Sequence, residues 1–204
     1  MNLVFELGLG ILTALAGLIA PGMLNMTALK IKMNVGLKQS VQYSVGAIVI
    51  IFFQSLAGVF FADWLSNHQE VILLLKKIGI GVFYVLSIYF FYLSYKNSKP
   101  GAELKAPKKK YFARGVGMSA LNMLSIPFYV AMALVYVGKG WLSSDLLDTL
   151  FFCLGAGIGS AAIFFLYIRF ADFIKREVGF IARNINVILG VIFVLIASST
   201  LYNL

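Results

Sequence analysis

Six uncharged apolar stretches govern what this chain can fold into, at residues 7–29, 39–62, 78–95, 115–138, 149–168 and 184–204. Each is close to the ~20 residues that an α-helix needs to cross roughly 30 Å of hydrocarbon. A surface helix of a soluble domain keeps a polar face; these stretches are apolar all round. Hydrocarbon offers backbone groups no water, so such stretches must satisfy their own hydrogen bonds as helices. The expected fold class is an all-α membrane protein with six transmembrane helices. Charged residues make up 12% of the chain, against about a quarter in a soluble domain. The stretches use most of the length and leave no room for a separate soluble domain. The first mimics a signal peptide through Ala14-Leu15-Ala16, but Glu6, and no Lys or Arg, precedes it. A signal peptide needs a basic start.

Basic residues give the spans a direction. The segments after spans one, three and five carry Lys30, Lys32 and Lys38; Lys96, Lys99, Lys105, Lys108, Lys109, Lys110 and Arg114; and Arg169, Lys175, Arg176 and Arg183. These are 14 of the 17 basic residues, and only Lys76, Lys77 and Lys139 lie on the other side. Cytoplasmic segments carry the Lys/Arg excess, so both termini are expected outside. The same excess suits anionic lipid headgroups better than nucleic acid.

Residues 96–114 form a basic linker punctuated by Pro100-Gly101 and Pro107, too polar to pack. It divides the chain into a first half at 1–95 and a second at 115–204, each with three spans. An odd number of spans per half puts the halves in opposite orientations. The expected architecture is two inverted three-helix repeats, as in transporters whose substrate site lies at the repeat interface.

Repeats should carry matching breaks in their first spans. Pro21-Gly22 lies inside span one and Pro127 near the centre of span four, and the other two prolines fall in the linker. Proline removes a donor and frees carbonyls, which in hydrocarbon must find a partner or line a cavity. Polar residues gather beside both breaks: Asn25 and Thr27 in the first half, Ser119, Asn122 and Ser125 in the second. Leu-Asn-Met occurs at 24–26 and again at 121–123. Amide and hydroxyl groups suit a zwitterion. The competing reading is packing, because proline kinks and bonds between polar side chains are ordinary in membranes. Gln54, deep in span two, is an interhelical tie or a pathway residue. Gly155 and Gly159 make a small-residue face for close helix packing.

Several chemistries are disfavoured. Glu6 and Asp63 read as outer-rim residues and Asp172 as inner-rim, so no carboxylate relay is expected within a span. Ser119 and Ser125 lack a base to activate them. Cys153 is the single cysteine, which excludes a thiol pair; lone buried cysteines behave as small hydrophobes. His68 stands in a short polar loop, where a lone histidine is ordinarily solvated. No metal, nucleotide or cofactor motif is present, and no enzyme activity is expected.

This pattern resembles the LysE/RhtB-type amino-acid exporters over nearly the whole chain. The family's first span carries Pro-Gly-Pro and a polar residue, followed by glycines. Here the residues are Pro21-Gly22-Met23, then Asn25, Gly36 and Gly46. Its fourth span carries Asn-Pro-Lys, where this chain has Asn122-Met123-Leu124-Ser125-Ile126-Pro127 with no lysine. Asn186 and Gly190 fit the family's ending. The resemblance implies export of amino acids or related small metabolites across the bacterial cytoplasmic (inner) membrane, driven by an ion gradient of unassigned ion, with a homodimer as the family's assembly. Alternating access would work around Pro21, Gly22, Asn25, Thr27, Gln54, Asn122, Ser125 and Pro127. The alternative is a membrane assembly or regulatory protein that transports nothing. A redox protein like the six-helix thiol carriers would need a second intramembrane cysteine.

Overall fold

The structure is a computed structural model that describes residues 3–95, 110–122, 124–143 and 145–202. The linker at 96–109, and the side chains of Lys76, Asp172, Lys175, Arg176, Arg183 and Asn186, lie outside the described residues. The described residues are helical, with short turns and bends between the helices. In order these are α1 (Leu3–Leu18), α2 (Met23–Asn34), α3 (Leu37–Ser66), α4 (Gln69–Tyr95), α5 (Tyr111–Ala120), α6 (Ser125–Gly138), α7 (Leu146–Arg169) and α8 (Ala171–Tyr202).

Three of these helices, α3, α4 and α7, are long and apolar enough to cross a membrane, and the pairs α1/α2 and α5/α6 would add two broken spans. Spans one and four are those pairs, bent by 77° and 61°. Residues 184–202 of the expected sixth span fall in α8, but the described apolar part, Gly190–Tyr202, is shorter than a membrane crossing needs. Lys30 and Lys32 prove to be helical, on α2; only Val35 and Gly36 separate α2 from α3. Gly36 has φ +138°, a conformation that a side chain resists, and donates its N–H to the Ile31 carbonyl oxygen at 3.1 Å. The hairpin closes when Ser40 Oγ donates to Ala28 O at 2.6 Å.

Two compact units result. The first holds α1–α3 and α5–α7, and the second α4 with most of α8. In the second, Ser87 Oγ donates to Gly190 O at 2.9 Å, and the Phe83 and Phe193 rings stack. Tyr84 and Ser198 join hydroxyls at 3.1 Å. Sequence numbers rise on α4 as they fall on α8, so the pair is antiparallel.

Glycines set the first unit. A Cβ at Gly10 would fall on the carbonyl oxygen of Phe152 and the nitrogen of Ala156; one at Gly155 would fall on Leu7 and Ile11. The α3–α5 contact uses the same pattern. Gly115 abuts the Tyr43 carbonyl and the Ala47 nitrogen, and Gly46 abuts Phe112 and Val116. Backbones come this close only where neither residue has a side chain in the way. Gly159 meets Ile11 and Ala14 where Gly155 meets Leu7 and Ile11, and Ser119 bonds to Gln54 where Gly115 meets Tyr43 and Ala47, so α1 runs parallel to α7 and α3 parallel to α5.

Candidate functional site at two helix breaks

Helix α1 stops at Leu18, just before Pro21, whose ring supplies no N–H. The carbonyls left over at this end find side-chain donors. Asn25, 1% exposed, gives Nδ2 to Leu18 O at 2.5 Å and to Ala20 O at 3.2 Å. The Tyr167 hydroxyl on α7 donates to Ile19 O at 2.9 Å. Gly22 caps α2 in an extended conformation with no side-chain bond. The Asn25 amide is therefore a clasp across the bend, and its Oδ1 is buried without a partner. Leu29, Ile163, Tyr167 and Ala171 form the apolar floor here, flanked by Leu15, Leu18 and Met26.

The second break lies ahead of Pro127. Helix α5 ends at Ala120, and Pro127 is the third residue of α6. A first-turn N–H has no intrahelical partner, so proline fits there without breaking anything. The break belongs instead to the turn around Asn122, whose N–H donates to Ser119 O at 3.0 Å and whose Nδ2 donates to Ser125 Oγ at 2.8 Å. From α3, Gln54 Nε2 donates to Ser119 O at 2.9 Å. Gln54 Oε1 and Ser119 Oγ are buried and without partners.

The two breaks are neighbours. Gly17, one residue before the end of α1, faces the Phe128 ring near the start of α6; a Cβ there would come within 2.7 Å of it. Deeper in the pair, the Thr13 and Tyr136 hydroxyls meet at 2.9 Å. Tyr129 packs against Gly58 and reaches the Ser160 hydroxyl. Pro21, Gly22 and Asn25 thus form one group, and Gln54, Asn122, Ser125 and Pro127 the other. Asn25 and Asn122 each bond within their own break. Thr27 belongs to neither, since its side chain meets the Tyr43 hydroxyl.

Sequence reading missed Tyr167 and Phe128. Neither lies in a motif or beside a charge pattern that would mark it. It also did not foresee that Glu6, in the first turn of α1, is completely enclosed. Asp148, just ahead of the expected fifth span, is buried as well. Cys153 is fully enclosed beside Ser55.

No curated protein and no solved structure matches the sequence. The LysE type translocator profile does match, over residues 15–204, a stretch that takes in both breaks; the chain belongs to that family.

Proposed function

We propose that the protein is a secondary active exporter of amino acids or related small metabolites, working by alternating access around the two breaks. The observation that carries this is a set of buried oxygen atoms without partners, Asn25 Oδ1 at one break and Gln54 Oε1 and Ser119 Oγ at the other. Buried polar groups are normally bonded, and acceptors of this kind suit an ammonium group. Both α2 and α6 begin at the breaks without a side-chain cap. Helix N-termini favour anions, which suits the carboxylate of the same zwitterion. Broken helices around a central site are a transporter device.

The glycine contacts support a construction from two inverted repeats. Exchanging α1 for α5 and α3 for α7 turns one set of contacts into the other: Gly10 takes the place of Gly115, Leu7 of Phe112, Tyr43 of Phe152 and Gly46 of Gly155. The antiparallel α4–α8 pair suits the same exchange. On this reading both termini face outward from a bacterial inner membrane, lipid covers the exposed apolar faces, and the copies pair as dimers.

Efflux from vesicles loaded with a panel of amino acids tests the function. Purified protein should carry at least one of them, and Asn25→Ala and Gln54→Ala should lower that rate about tenfold or more. Full transport by both folded variants would remove the breaks from the site, and no transport of any panel member would leave the reading without support.

A further inference from the structure

We propose that Glu6 is a reversible proton-binding site, set between α1 and α7 away from the breaks. Glu6 is 0% exposed, and neither carboxyl oxygen has a hydrogen-bond partner. It stands one turn before Gly10, which abuts the Phe152 carbonyl. Thr149 stands one turn before Phe152, is also 0% exposed, and has an unpartnered Oγ. The two unpartnered groups therefore occupy the same level of the close α1–α7 contact.

Among the described residues, the charge acting on Glu6 is the Asp148 carboxylate on α7. On α6 the Tyr136 hydroxyl is engaged with Thr13, and Lys139 lies over the Trp141 ring at 4.5 Å. An enclosed carboxylate with no donors, beside a second carboxylate, is an unfavourable anion. One proton removes that charge: the carboxylate takes it up as a neutral acid and returns it as the surroundings open. Asp148 stands in the first turn of α7. Thr149 Oγ is free to accept from the protonated acid. Buried ionisable groups of this sort mark proton pathways in membrane proteins.

The role in transport rests on the exporter reading: Glu6 would take the proton that drives export. Infrared difference spectra of the purified protein, recorded across a pH series without substrate, test the site itself. A protonated-carboxyl band should titrate in the wild type, vanish in Glu6→Gln, and move its midpoint to lower pH in Asp148→Asn. A band unchanged in Glu6→Gln overturns the proposal. So does one discharged by sodium chloride at constant pH, which would make the site a sodium site. In vesicles, the stimulation of efflux by an inward proton gradient should fall at least tenfold in Glu6→Gln. Gradient-independent wild-type efflux overturns the coupling role. If no panel substrate moves at all, the exporter reading fails and the infrared result still decides the site.

Discussion

Gln54 on α3 donates through Nε2 to the Ser119 carbonyl oxygen at 2.9 Å, tying the second span of one sequence half to the broken end of the first span of the other. The bond does for α5 what Tyr167 does for α1, where the hydroxyl meets Ile19 O. In each case a long unbroken helix supplies the donor that the broken one lacks. A lost carbonyl partner at membrane depth has no water to replace it.

Gln54→Leu should therefore destabilise the fold by about 1 kcal/mol, near the upper range for a single bond between membrane helices. Reversible unfolding in mixed micelles measures this. Tyr167→Phe should cost a similar amount through the other break.

Asn25→Ala should cost more. It removes the donor to two carbonyls at once, and each unpaired buried group costs about 1–3 kcal/mol. Asn25→Asp keeps the shape but removes the Nδ2 donor, and should be as damaging as alanine in the same unfolding assay.

The glycine joints give a test with internal controls. Gly46→Ala, Gly115→Ala, Gly10→Ala and Gly155→Ala each drive a methyl group into backbone of the neighbouring helix. All four should lower the thermal midpoint by several degrees. Gly117→Ala and Gly81→Ala meet nothing within 4 Å and should be neutral, or stabilise by up to about 1 kcal/mol through helix propensity.

Gly36→Ala should destabilise by about 1 kcal/mol or more, because φ +138° is strained for any residue with a Cβ. Deletion of Gly36 should be worse, since it pulls Ser40 away from the Ala28 carbonyl. Both are read in the same unfolding assay.

Cys153 is 0% exposed, so the folded wild type should resist maleimide until detergent unfolds it. That makes the wild type a background for single added cysteines at the termini. Their labelling by an impermeant maleimide in intact cells should place both termini outside.

The long apolar helices α3, α4 and α7 were legible because charge is excluded from hydrocarbon, and that exclusion is written residue by residue. The first break was legible too, since Pro21-Gly22 disrupts helix locally. The second was misread by a few residues: Pro127 looks like a breaker, yet a proline in the first turn of α6 is harmless, and Asn122 makes the turn. Glu6 shows the other limit. Its burial depends on which helix lies alongside, and nothing local to residue 6 announces α7. The glycine pairs lie between those cases. Gly155 was visible as a packing face, while its partners Leu7 and Ile11 belong to a helix more than a hundred residues earlier.

The joints also order events during synthesis. Helix α1 enters the bilayer long before α7 exists, and α3 before α5. Until the second half emerges, the faces around Gly10 and Gly46 have no neighbour of their own to settle against. The amino-terminal portion thus waits, half finished, for the ribosome to deliver its counterpart. Breaking the chain within 96–109 would yield two fragments that acquire their native packing only in each other's company.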